Sequence, residues 1–417
     1  MTAPVELRSE KNSLVAPWPG RVDIPGPRHP TRRRSTFLPF SPPVIGEEEI
    51  AAVVDTLRSE WITTGPKTHQ FATEFADYLG AIEALPLNSC TAGLHTALVT
   101  SGVGSGDEVI TTPMTFAASV NVIEHVGATP VMVDVEPDTL NIDPVLVEKA
   151  VSVRTRAIIA VHYAGHPAEL ERLRKIAWKY NLVLIEDAAH ALPAKYKGVT
   201  IGSGPNPVAF SFYATKNLTT GEGGMLTGEA DFIERARIVS LHGMSRDAWR
   251  RYAKGGSWRY EILSPGFKYN MTDIAASIGL CQLHKLDGFQ QRRREIVNAY
   301  TQSFSECDAL EVPIERNEVE HAWHLYVLRL RTGRLDIGRD QFIEEMTERN
   351  IATSVHFIPI HLHPYYRDKY QLLPDRFPVA VDNYTRMLSL PLNARMSDDD
   401  VLDVIDAVLD IVRLHQR

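Results

Sequence analysis

The sequence predicts an α/β protein, with a large domain on a mostly parallel sheet and a smaller C-terminal α+β domain. Three observations carry this. Apolar runs of strand length alternate with helical stretches from Phe37 to about residue 240, the pattern of a parallel sheet covered on both faces. After Asp273 the alternation gives way to one long helical stretch. The chain has 417 residues, more than one hydrophobic core usually holds.

In chain order, residues 1–35 are rich in Pro, Gly and Arg, end in Arg32-Arg33-Arg34, and show no periodicity. They read as a flexible arm with a solvated basic end. The large domain is expected over residues 36–285. Its strands are expected at Val109–Thr111, Val131–Val135, Ala157–His162, Leu182–Glu186, Val208–Phe212 and Gly224–Thr227. Helices are expected at Gly93–Ser101, Phe116–Val126, Leu146–Val151 and Ala168–Tyr180. A helix over Asp273–Ser303 carries the chain into the small domain, residues 286–417. That domain is expected to hold strands at His324–Leu330 and Ala352–His356 and a last helix at Ser397–Leu414.

Composition narrows the function. A net charge of -8 argues against a broad nucleic-acid footprint. The three cysteines, Cys90, Cys281 and Cys307, are too few and scattered for a disulfide framework or a metal site. No apolar run is long enough to span a membrane, and the first 35 residues lack a secretory core. A cytoplasmic protein with no bound metal is expected.

Ligands of open parallel sheets bind beyond the carboxyl ends of the strands. The residues just past the apolar runs are His162, Asp187 with His190, Ser211, and Lys216. Upstream, Asn88-Ser89-Cys90-Thr91-Ala92-Gly93 opens a helix. Such a start offers free N–H groups to a phosphate, though the same residues also make an ordinary helix cap. Asp187 ends a buried strand, where a carboxylate needs a partner: an ion pair, a cap, or a protonated heterocyclic nitrogen. Lys216 follows a strand and precedes Gly221-Glu222-Gly223-Gly224. A sheltered amine there has its pKa lowered and is fit for Schiff-base chemistry.

At this point the chain resembles the DegT/DnrJ/StrS family of pyridoxal-phosphate (PLP) sugar aminotransferases, from Phe37 to about Val412. The motifs are Phe37–Ser41, Trp61–Lys67, Asn88–Leu94, Thr115–Ser119, Val161–Gly165, Glu186–His190 with Ser211–Lys216, Gly266–Asn270, and His321–Leu325. The likeness is greatest to the branch that aminates UDP-linked 4-keto-pentoses.

The resemblance implies the PLP-dependent transferase fold of type I, with a seven-stranded sheet. It implies pyridoxal 5′-phosphate as cofactor, with pyridoxamine phosphate as its aminated form. Lys216 is then the Schiff-base lysine and proton carrier, Asp187 the partner of the pyridine nitrogen, and Phe116 the ring stacked on the cofactor. His190 lies beside the ring, and Thr91, the Ala92 N–H and Ser211 hold the phosphate. Asn270 reaches the cofactor of a neighbouring subunit, so a homodimer with shared sites is expected. Many relatives have Asn and Arg where this chain has Lys268 and Asn270.

Substrate contacts are expected from Thr63, Lys268, His361, His363 and Tyr365; the alternative is a turn role for Thr63, packing for His361, His363 and Tyr365, and a share in the role of Asn270 for Lys268. Trp258 and Gly255–Leu263 are a candidate lid. The implied reaction moves the amino group of L-glutamate to the C4 ketone of a nucleotide-linked sugar. A PLP-dependent sugar dehydratase has a histidine in place of Lys216, and a non-catalytic PLP-fold regulator has no need of Lys216 with Asp187 and Ser211.

Overall fold

The computed structural model describes residues 33–245 and 260–417. Two helices, α1 (Glu47–Arg58) and α2 (Pro66–Leu79), lead into β1 (Glu83–Leu87). Helix α3 (Cys90–Thr100), β2 (Glu108–Thr111), α4 (Ala117–His125), β3 (Thr129–Met132), α5 (Pro144–Ala150) and β4 (Thr155–Val161) follow. Then come α6 (Leu170–Tyr180), β5 (Val183–Asp187), a small hairpin of β6 (Lys195–Tyr196) and β7 (Val199–Thr200), β8 (Val208–Ser211), β9 (Gly224–Gly228) and α7 (Ala230–Ser240).

The central sheet has seven strands in the order β1-β9-β8-β5-β4-β2-β3. Strand β9 runs antiparallel to both its neighbours, and the other pairings are parallel. Side chains alternate across it. Ile110, Ile158, Leu184 and Phe210 face a layer that includes Phe71 and Phe75 of α2 and Leu173 of α6. Val109, Ile159, Ile185 and Ala209 face Leu94 and Leu98 of α3, Ile123 of α4 and Ile233 of α7. Strands buried on both faces read as continuous apolar runs, which made them visible in the sequence. Strand β1, Glu83-Ala84-Leu85-Pro86-Leu87, is not among the expected strands, and it carries a proline. It lies at the sheet edge, with β9 as its one strand neighbour in the sheet and an isolated bridge from Leu87 to Asn270 on the other side, a position where a missing N–H is tolerated.

The long helix α8 (Asp273–Phe304) starts at Thr272, whose hydroxyl accepts the Ala275 N–H. Its first half packs on the large-sheet core through Leu280, Leu283 and Leu286. Its last turns give Ile296, Tyr300 and Phe304 to a separate core. That core gathers β10 (Leu310–Glu311), β12 (Tyr326–Leu330) and β13 (Met387–Leu390), a three-stranded sheet of order β10-β12-β13. Strand β11 (Val319–Glu320) joins the β6–β7 hairpin instead. Helices α9 (Arg339–Glu348), α10 (Pro364–Tyr370), α11 (Pro378–Arg386) and α12 (Asp398–His415) complete the chain. Each fully buried Leu or Ile of these cores contributes roughly 1.5–3 kcal/mol.

Two expectations fail, the second only in part. Ala352–His356 is not a strand; Ser354 makes one isolated bridge to Ser389, and the sheet position belongs to β13. β-Branched and apolar residues there pointed to a strand, but only one backbone bridge per side forms. The end of the arm is solvated only in part: Arg33 is exposed, but Arg34 is tied down. Arg34 bonds Asp400 at 2.6 Å and Asp403 at 2.5 Å in the first turns of α12, where carboxylates already suit the helix N-terminus. Residues 1–32 of the arm lie outside the described residues.

Candidate active site

Strand β5 ends at Asp187 and β8 at Ser211, so parallel pairing brings both to the same sheet edge. The start of α3 reaches that edge because Gly224 of β9 lies against it. A Cβ on Gly224 would stand 2.5 Å from the Cys90 nitrogen and the Ser89 carbonyl carbon, so only glycine allows the approach. Lys216 sits in the tight turn after β8, its N–H donating to the Tyr213 carbonyl at 2.9 Å.

Asp187 is held by three groups. The Ser119 hydroxyl donates to Oδ2 at 2.7 Å. The Ala189 N–H donates to Oδ1 at 3.1 Å, and Cys90 Sγ lies 3.9 Å from the same oxygen. The adjacent Glu186 points to the opposite face. There it bonds His162 at 3.2 Å, Asn206 at 2.8 Å and Arg174 at 3.3 Å. His162 is therefore not at the sheet-edge site. Its ring is wholly buried, with Nδ1 accepting the Ala168 N–H and Nε2 donating to Glu186.

Burial lowers the Lys216 pKa to about 8, and the opposing pull of nearby Cys90 and Asp187 does not overcome it. Three imidazoles share its surroundings. Burial, then the Lys216 charge, pushes His190 and His324 well below the ordinary histidine range. The same causes bring His356 to about 4. All three are neutral at pH 7. The His190 and His324 ring centres are 4.4 Å apart. Asn217 donates both amide hydrogens, to Leu192 O at 2.9 Å and Ala322 O at 2.8 Å. Its Oδ1 must then accept from His324 Nδ1 at 3.2 Å, which fixes the tautomer of that ring. His190 Nδ1 is buried with no hydrogen-bond partner.

Phe116 precedes α4 with its ring 63% exposed, 5.9 Å from Phe357, which stacks on His190 at 5.7 Å. Thr91 lies in the first turn of α3. The Ala92 N–H, expected to serve a phosphate, instead donates to the Ser89 hydroxyl at 3.1 Å, the ordinary helix cap. Ser211, half-buried, accepts a long bond from the Tyr213 N–H at 3.4 Å.

The remaining candidates lie elsewhere. Thr63, Lys268 and Asn270 line a cavity of about 540 Å³, together with Trp61, His69 and Arg237; Lys216 and Asp187 do not line it. Asn270 Nδ2 donates to Thr64 Oγ1 at 2.6 Å, and Lys268 bonds Asn270 Oδ1. His361 is fully buried, its ring 4.6 Å from Phe377. His363 is half-buried at the cap of α10, and Tyr365 is exposed beside Lys369. Trp258 and residues 255–259 of the candidate lid lie outside the described residues. Among the described residues no cluster fit to hold a metal ion occurs.

Sequence reasoning gave no role to Ser119, His324, His356 or Phe357. Ser119 and His324 stood inside quoted motifs, yet nothing local shows which polar atoms meet across the fold. His356 closes the stretch expected as a strand and Phe357 follows it; both stand in irregular backbone, and nothing local points either of them toward Lys216.

Residues 43–409 match the DegT/DnrJ/EryC1/StrS aminotransferase family. The chain belongs to that family. An uncharacterized protein of Methanocaldococcus jannaschii is 54% identical over 380 residues, covering 91% of this chain and 98% of that protein. The spore coat polysaccharide biosynthesis protein SpsC of Bacillus subtilis is 50% identical over 384 residues, covering 92% and 99%. A Streptococcus pneumoniae protein described as a sugar aminotransferase superposes in its PLP form with a TM-score of 0.84 at 37% identity, covering 91% and 99%. Helicobacter pylori PseC, an aminotransferase of pseudoaminic acid biosynthesis, gives 0.83 at 28% identity, covering 91% and 100%.

As a DegT/DnrJ/EryC1/StrS member, this chain is a PLP-dependent sugar aminotransferase of fold type I. Its own residues fit pyridoxal phosphate. The unpartnered His190 Nδ1, the exposed Phe116 face, the close approach at Gly224 and the sheltered Lys216 amine all lie at one sheet edge.

Proposed function

We propose that this aminotransferase takes its amino group from L-glutamate. It delivers that group to the C4 ketone of a sugar on a nucleoside diphosphate. The sugar is a UDP- or dTDP-linked 4-keto-6-deoxyhexose or 4-keto-pentose. The carrying observation is the half-buried Lys216 amine, its pKa brought to about 8, sharing a site with the anchored Asp187 carboxylate. Bound pyridoxal phosphate supplies an electron sink and stores the nitrogen between two half-reactions.

This chain's residues do the rest. Lys216, freed as an amine, accepts the proton from the donor carbon and later returns one to the sugar carbon. A pKa near 8 leaves enough free base at neutral pH to act in both directions. Asp187 holds a proton on the pyridine nitrogen, an ion pair that costs little to bury because its oxygens already have donors. Phe116 offers an apolar face for stacking, and the neutral His190 bonds the cofactor edge without adding charge. Thr91 and Ser211 bond the phosphate.

Thr63, Lys268 and Asn270 serve the site of a second copy. Their cavity lies apart from Lys216, and Lys268 is well suited to a carboxylate or diphosphate. His363 and Tyr365 remain candidate substrate contacts. Binding energy from the nucleotide is remote from the reacting carbon and is available to orient the ketone.

The test mixes purified PLP-loaded protein with L-glutamate, then with a panel of UDP-, dTDP- and GDP-linked 4-keto sugars. Glutamate should bleach the cofactor's visible band, and a UDP- or dTDP-linked sugar should emerge aminated at C4. An unchanged band removes glutamate as donor. Amination of ordinary 2-oxo acids alone removes the sugar assignment.

A further inference from the structure

The segment Thr115-Phe116-Ala117-Ala118-Ser119 supplies the site with more than an aromatic ring. Ser119, in the first turn of α4, is 1% exposed, and its hydroxyl donates to Asp187 Oδ2 at 2.7 Å. A hydroxyl has one proton, and an ionised carboxylate only accepts. The Ser119 proton is thus committed to Asp187. The 2.7 Å bond between Ser119 Oγ and Thr115 Oγ1 must be donated by Thr115, itself 2% exposed. The chain of donation runs Thr115 to Ser119 to Asp187, entirely out of solvent.

On the other oxygen, Oδ1, the Ala189 N–H donates at 3.1 Å. Cys90 is a weaker participant, since its thiol lies 3.9 Å from Oδ1 and 3.5 Å from the Ala209 carbonyl. Two good bonds, one per oxygen, fix the carboxylate plane. With either missing, the group is free to rotate about Cβ–Cγ.

We propose that Ser119, oriented by Thr115, is a positioning residue for the cofactor: it sets the rotation of the Asp187 carboxylate toward the pyridine nitrogen. This rests on the assignment of Asp187 to that nitrogen. In this role Ser119, buried behind Asp187, acts through that carboxylate.

The experiment uses PLP-free full-length protein and PLP as probe. It reads the dissociation constant and the visible band of the complex as a function of pH, with thermal unfolding alongside. Ser119→Ala should weaken PLP binding on the order of tenfold, the usual weight of a charge-assisted bond, and change the pH response of the band. Ser119→Thr should restore both. Thr115→Val should give a smaller change of the same kind. Wild-type affinity and band in Ser119→Ala overturn the proposal. Where Ser119→Ala does not fold, the same result in Thr115→Val overturns it. A loss that Ser119→Thr does not repair marks packing and also overturns it. If the unsubstituted chain takes up no PLP, the parent reading fails first, and this inference goes with it.

Discussion

Lys216 would ordinarily carry its charge to pH 10.5, yet burial brings its pKa to about 8. The surrounding rings of His190, His324 and His356 stay neutral, so none adds a second positive charge beside the ammonium. The sign is clear: as pH rises through about 8 the amine loses its proton and becomes nucleophilic. In PLP-free protein, modification of Lys216 by an amine-directed reagent should rise with a midpoint close to pH 8. Exposed lysines should follow about two units later. A Lys216 midpoint matching theirs would show an amine in contact with bulk water. Lys216 and Asp187 were legible in the sequence because both stand just past apolar strands. Ser119 was not, since its meaning is a contact with a residue 68 positions away. Nor was the state of the Ala92 amide, which a local serine claims first.

At the scale of elements, parallel strands and long amphipathic helices were readable because double burial and periodicity leave marks in composition. Short connections were not, as Ala352–His356 shows. Asp273 is a further case. At the start of α8 it accepts the N–H groups of Gly65, Lys67 and Thr68 at 2.8, 3.0 and 2.9 Å, and the Thr68 hydroxyl at 2.6 Å. One helix thus caps another: Gly65, which precedes α2, has no side chain to do so. Removing the carboxylate orphans several buried donors at once. Asp273→Ala should lower the unfolding free energy by about 2–4 kcal/mol in urea titration. A change below about 0.5 kcal/mol would mean that water reaches these amides. The same substitution should disturb Thr63, whose carbonyl accepts the Asp273 N–H at 3.1 Å.

The whole molecule holds many buried histidines, including His321 and His166, the latter brought to about 4 by burial. Groups whose folded pKa is depressed resist protonation that the unfolded chain accepts near 6.5. Their contribution is present above pH 6.5 and is lost as pH falls from there toward 4. Glu186, buried yet held below its usual range by His162, Asn206 and Arg174, adds a loss of the same sign only below its ordinary value of 4.5. The urea midpoint should therefore fall as pH drops from about 6.5 to 5, and a flat profile there would show these rings to be solvated when folded.

Thr63, Lys268 and Asn270 sit in a cavity that the Lys216 amine does not enter. If two copies share sites, two differently damaged chains can repair each other. Lys216→Ala and Asn270→Ala proteins, each inactive alone, would form hybrids on co-refolding in which one composite centre has both residues intact. With random pairing about half the dimers are hybrid, so about a quarter of the centres should work. Recovery of no activity from the mixture would place every needed group within one polypeptide.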